Sequence, residues 1–201
     1  MGWIYKRWAQ VGGITALGII AFVLASGIEL TGINILLWLH FALLLLHQFE
    51  EYVYPGGFRD FYNRDIRNTN AVTKSPLNEK GVLLVNILFG WTAYLLSAIS
   101  GVKMLWLAVG LLGITISNGM LHTIMFLIKR KYIPGMISGF FLFIPFGLYV
   151  LLKAIEISTE EDLISGMIVF VIGTVSIPVS IYITNKIGLL HNRSKSRTIR
   201  N

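Results

Sequence analysis

The sequence predicts an all-α fold: a polytopic bundle of about six transmembrane helices with both termini in the cytoplasm. Three observations carry that expectation. Of 201 residues, 55% are hydrophobic and only 13% are charged, against roughly 25% charged in soluble domains. Six apolar runs each approach the roughly 20 residues that a helix needs to cross a bilayer. The basic residues between those runs fall almost entirely on one side. The runs are long and unalternating, whereas barrel strands would alternate over about ten residues. A net charge of +7 in so apolar a chain suits anionic headgroups of membrane lipids and not nucleic acid. The chain has no cysteine, which excludes disulfides, thiolate metal sites and cysteine nucleophiles.

The spans follow in order along a single membrane-embedded domain, residues 1–201. The first runs from Val11 to Ile28. Lys6 and Arg7 ahead of it, and Val23-Leu24-Ala25 within it, give it the outline of a signal peptide. Its apolar run exceeds a signal core, so it reads as an uncleaved span. The second covers Ile33 to Val53 and stops at Tyr54-Pro55-Gly56, as proline and glycine stop helices. Pro55 to Lys80 is the one long connection. Within it Phe58, Phe61, Tyr62 and Ile66 fall at helical spacing, with Arg59, Asp60, Arg64 and Asp65 between them. That pattern fits a helix in the headgroup layer or a packed cytoplasmic loop. Ser75 as N-cap and Pro76 after it then open the third span, Gly81 to Ile99. The fourth, Met104 to Ile128, ends at Tyr132-Ile133-Pro134-Gly135, a stop similar to the one after span two. The fifth is Met136 to Ile155 and the sixth Leu163 to Ile183. On the sixth, Ser176, Ser180 and Thr184 form a small hydroxyl stripe suited to helix packing.

Orientation follows from the basic residues. Lys6 and Arg7 precede span one; five lie between spans two and three (Arg59, Arg64, Arg67, Lys74, Lys80). Three more follow span four (Lys129, Arg130, Lys131), and the tail holds five (Lys186, Arg193, Lys195, Arg197, Arg200). The opposite side has only Lys103 and Lys153, beside Glu29, Glu156, Glu160, Glu161 and Asp162. A split of fifteen to two assigns the basic side, and both termini, to the cytoplasm.

Ionisable residues inside a span cost about 2.5–3.5 kcal/mol each on insertion scales, yet span two ends in His47-Gln48-Phe49-Glu50-Glu51. At about 100° per residue, His47, Glu50 and Glu51 share one arc, and His40 lies in it about 10 Å deeper. On span four Asn118 and His122 are four apart and share a face with Thr115 and Met125. His47 lies about 12 Å before Pro55, and His122 about 10 Å before Lys129, so the two imidazoles reach similar depth. Imidazole and carboxylate are ligands of zinc and of non-haem iron. His47, Glu50 and His122 would then hold a divalent metal (zinc, iron or manganese), leaving a position open for water. Glu51 would act as general base and Asn118 would stabilise an oxyanion. Without metal the paired carboxylates would share a proton. The bland alternative has the glutamates snorkelling or paired with Arg59 or Lys129, and the histidines bonding across helices. His40 reads as structural, and His191 in the tail carries no signal.

The stretch His47 to Phe58 (HQFEEYVYPGGF), followed by Asn118 to Gly135 (NGMLHTIMFLIKRKYIPG), resembles the HXXEE family of bacterial integral membrane proteins. His47, Glu50 and Glu51 match its naming motif; Asn118, His122, Tyr132, Pro134 and Gly135 look like its second block. The resemblance covers about Trp38 to Gly139 and implies a shared polar site without supplying a reaction. A looser similarity is to the CAAX-type prenyl protease and bacteriocin-immunity superfamily, intramembrane enzymes with paired glutamates, histidines and an asparagine. Here Pro55 stands where their EExxxR arginine would be, and Asn118 precedes His122 where their asparagine follows a histidine.

Three functions compete at this point. One is an intramembrane metal-dependent hydrolase acting on lipid or membrane peptide. The second is a small transporter or ion-binding permease, although the polar set lies nearer the cytoplasmic face than a midplane transport site. The third is a structural or immunity-type protein whose polar cluster only fixes packing. The basic tail suits anionic lipid, at roughly 1 kcal/mol per basic residue.

Overall fold

The computed structural model describes residues 2–27, 29–68 and 77–198. The described residues form a helical bundle with no strand. The elements are α1 (Gly2–Ala25), α2 (Ile33–Tyr52), α3 (residues 58–66), α4 (residues 79–100), α5 (Leu105–Lys129), α6 (Met136–Ile157) and α7 (Glu160–Thr198). Among the described residues, five helical runs are long and apolar enough to cross a membrane, the third being the 51-residue run Glu79–Lys129. That run comprises α4 and α5, which a tight turn over Gly101–Met104 separates. Gly101 sits there at φ +55°, where a Cβ would collide with the Asn34 side chain; only glycine takes that backbone without penalty. Asn34 in turn accepts a hydrogen bond from Val102 N at 3.2 Å. The six expected spans therefore correspond to α1, α2, α4, α5, α6 and α7.

α2 lies at the centre, buried along most of its length. Phe41, Leu44 and Leu45 pack with Ala16 of α1, Tyr94 of α4, Leu111 of α5 and Phe143 of α6. Toward the other end, Leu36 and Leu37 pack with Leu105, Leu112 and Val150. Glycines bring α5 close to its neighbours. A Cβ on Gly110 would lie 2.7 Å from the Gly166 carbonyl of α7, and one on Gly119 would lie 2.6 Å from the Gly139 carbonyl of α6. Small residues at helix crossings let backbones approach in this way. Ser180 is buried and the Thr184 hydroxyl lies against Gly81 of α4, so the hydroxyl stripe of α7 is a packing face.

The long connection forms a helix, α3, an α turn over Phe58–Phe61 continuing as a wider π turn over Tyr62–Ile66. Its aromatics face protein: Phe61 is buried, and the Phe58 ring stands 6.0 Å from Tyr52 and 5.6 Å from His122. The Asn63 side chain pins the returning chain at Leu77, donating to its carbonyl at 3.1 Å and accepting from its N–H at 2.9 Å. The expected cap Ser75-Pro76 falls outside the described residues. α4 is capped by Asn78, whose Oδ1 accepts from Gly81 N at 2.9 Å. Lys6, α3 and the chain from Lys129 to Gly135 gather at one end, the basic end, where Lys131 pairs with Asp65 at 2.5 Å.

Candidate functional site

The site forms where α2 ends against α5 and the first turn of α6. His47 and Glu51 are one helical turn apart and point to α5, where His122 meets them. Glu51 Oε1 is 3.6 Å from His47 Nε2 and 3.3 Å from His122 Nε2. One ligand atom from each of the three residues falls within 4.8 Å of the others, and all three residues are buried. The imidazoles meet edge to face, centroids 5.0 Å apart at 82°, and Phe143 packs on His47 at 4.3 Å. This group could hold a metal ion.

Glu50 lies on the same helix but does something else. At i+3 from His47 it turns about 100° away from Glu51, toward α6. Gly135 is the N-cap of α6 and has no side chain to offer the orphan N–H groups of the first turn. Glu50 fills that role from α2, accepting from Ile137 N at 3.0 Å and Ser138 N at 2.7 Å. It also accepts from the Ser138 hydroxyl at 2.5 Å and the Tyr132 hydroxyl at 2.8 Å. A carboxylate at a helix N-terminus is favoured by the helix dipole as well. Tyr132 lies in the α5–α6 connection, and its hydroxyl pKa is raised by burial and then by its bond to Glu50 and that carboxylate's charge.

Ser138 joins the two halves of the site. Its hydroxyl carries one proton. With that proton given to Glu50, Ser138 Oγ accepts from His47 Nδ1 at 2.8 Å. His47 is thereby oriented with Nδ1 on Ser138 and with Nε2 facing Glu51 and His122. Asn118 Nδ2 lies 3.3 Å from the same nitrogen.

A backbone roof closes the group from the basic end. Gly135, at φ +90°, is so close that a Cβ there would lie 2.7 Å from His122 Cε1, 2.8 Å from His47 Cε1 and 3.0 Å from Glu51 Cγ. Gly57 is the corresponding N-cap of α3, with φ 93° and ψ 5° against 90° and −5° at Gly135. The two N-cap glycines thus share a backbone conformation, and Pro134 touches the space beside Gly57.

Of the five residues singled out from the sequence, His47, Glu51 and His122 come together, with Asn118 beside them. Glu50 is directed to the start of α6, away from the histidines. His40 is buried deeper, its Nε2 bonded to Thr115 Oγ1 at 2.7 Å, with Tyr94 sharing that hydroxyl at 2.7 Å. Ser138 escaped sequence reasoning; the available signal was a glycine N-cap followed three residues later by a hydroxyl.

A family profile described as "Protein of unknown function with HXXEE motif" matches residues 38–150, which contain every residue of this site. No curated protein and no solved structure matches the chain.

Proposed function

The chain belongs to the HXXEE family, and from that premise we propose that it is a metal-dependent intramembrane hydrolase acting on lipid or membrane peptide. His47, Glu51 and His122 hold the divalent ion. The observation that carries this reading is the spacing of the three ligand atoms. Charge-assisted hydrogen bonds run about 2.7–2.9 Å, and the Glu51 contacts at 3.6 and 3.3 Å are too long for them. The 3.3 Å contact equals, and the 3.6 Å contact comes near, the separation of about 3.3 Å that two ligands of a tetrahedral metal with bonds near 2.0–2.1 Å would have.

Within this reading Glu51 takes the ligand role that spacing alone gives to Glu50, and neither carboxylate is left as a general base. Glu51 is the ligand and Glu50 the anchor that, through Ser138, orients His47. Such outer partners typically govern affinity by 10–100-fold. A divalent ion held by His47, Glu51 and His122 would supply an activated water for hydrolysis. Asn118, 3.3 Å from His47 Nε2, is the residue suited to polarise a substrate carbonyl. The basic end faces the cytoplasm in this reading.

Metal content of detergent-purified protein, prepared without chelator, is the test. Near-stoichiometric zinc, iron or manganese in the wild type, lost in His47→Ala, Glu51→Ala and His122→Ala, is the expected result. Metal-dependent release of water-soluble product from a labelled membrane extract, absent in Glu51→Ala, would then establish hydrolysis. Well-folded wild type without metal would leave a proton-sharing or packing cluster instead.

A further inference from the structure

We propose that the cleft between α1, α3 and the start of α4 binds the zwitterionic headgroup of a membrane phospholipid, a phosphate carrying an ammonium group. The cleft has a volume of about 220 Å³ and opens at the basic end. Its walls are aromatic: Tyr5 and Trp8 of α1, Tyr52 of α2 and Phe58 of α3. Trp8 and Val82 are buried in its floor. Its rim is charged, and the charges balance, with Lys6 and Arg59 against Asp60 and Glu79.

That balance sets the cleft apart. The rest of this end is strongly basic and suits anionic lipid without discrimination. Here two carboxylates stand among two cations, in the arrangement that a phosphate and an ammonium require. Arg59 and Glu79 pair at 3.5 Å with side chains 44% and 64% exposed, a long, solvated contact that a ligand's charges can replace. Aromatic rings supply faces for an ammonium group and favour the water–hydrocarbon boundary. A lipid fits better than a soluble phosphoamine because the cleft lies at the ends of apolar helices, where acyl chains continue beside α1. The inference stands independently of a bound metal. It also has a consequence for the site, since the Phe58 ring that lines the cleft is 5.6 Å from His122. An occupied cleft is one ring away from the histidines.

The test is a lipid titration of delipidated, full-length protein in neutral detergent, read by native mass spectrometry. Phosphatidylethanolamine, phosphatidylcholine and phosphatidylglycerol of matched acyl chains are compared with soluble phosphoethanolamine. The wild type should prefer the zwitterionic lipids over phosphatidylglycerol by about fivefold or more, the worth of one surface charge. Asp60→Asn with Glu79→Gln should erase or reverse that preference. Lys6→Gln with Arg59→Gln should weaken zwitterionic binding by a similar factor. Circular dichroism serves as the check that each variant is folded. Equal or tighter binding of phosphatidylglycerol by the wild type would overturn the proposal. So would an unchanged preference in the carboxylate variant, or soluble phosphoethanolamine binding as tightly as the lipids.

Discussion

Two adjacent glutamates on one helix carry different work because about 100° separates them. Glu50 satisfies two orphan N–H groups and two hydroxyls around the start of α6, whereas Glu51 faces two imidazoles. Their substitutions should therefore separate. Glu50→Ala strands buried donors, each costing about 1–3 kcal/mol, and frees Ser138 and so His47. It should lower thermal stability in detergent and weaken metal binding together. Glu51→Gln keeps the shape and the contacts at α6, so it should lose metal while its melting temperature stays close to that of metal-free wild type. Equal destabilisation by both, with no metal in either, would return the pair to a structural role. The HXXEE spacing has this physical content: i+4 completes the triad and i+3 caps a neighbouring helix.

At the scale of elements, the site depends on how closely α5, α6 and the Gly135 roof approach. Gly119 lies one turn before His122 and touches the α6 backbone. Gly119→Val would force that crossing apart at about 1–3 kcal/mol. Gly135→Ala places a methyl group against all three candidate ligands in a conformation that itself costs about 1–3 kcal/mol. Both should reduce metal occupancy although no candidate ligand is replaced, whereas Gly18→Ala, with open space around it, should change neither occupancy nor melting temperature. These couplings mark what was legible beforehand. Hydropathy locates the spans because a helix must be apolar wherever it meets lipid, and equal depth of His47 and His122 follows from counting residues to the basic boundary. The division of labour between Glu50 and Glu51 was not legible, since both lie in one arc of α2. Only the position of α6, and the missing side chain at its N-cap, separates them. Likewise Phe58 and Phe61 have the spacing of a surface helix, and only the tertiary contacts with Tyr52 and His122 turn them inward.

For the whole molecule, in the proposed reading, direction across the bilayer would decide which compartment supplies metal and water to the site. Fifteen basic residues against two, each worth about 1 kcal/mol at an anionic surface, favour the basic end in the cytoplasm. Acids reinforce this, because Glu160, Glu161 and Asp162 open α7 at the far end, where they also complement its N-terminal dipole. A chain without cysteine makes the experiment clean, since one introduced thiol reports one position. Arg64→Cys in α3 and Glu161→Cys in α7 are both exposed positions. In intact cells a membrane-impermeant maleimide should label Glu161→Cys and reach Arg64→Cys only after permeabilisation. The opposite pattern would place Gly135, the cleft beside Phe58 and the metal ligands on the outer side. The site would then draw its metal, its water and its lipid from the other leaflet and compartment.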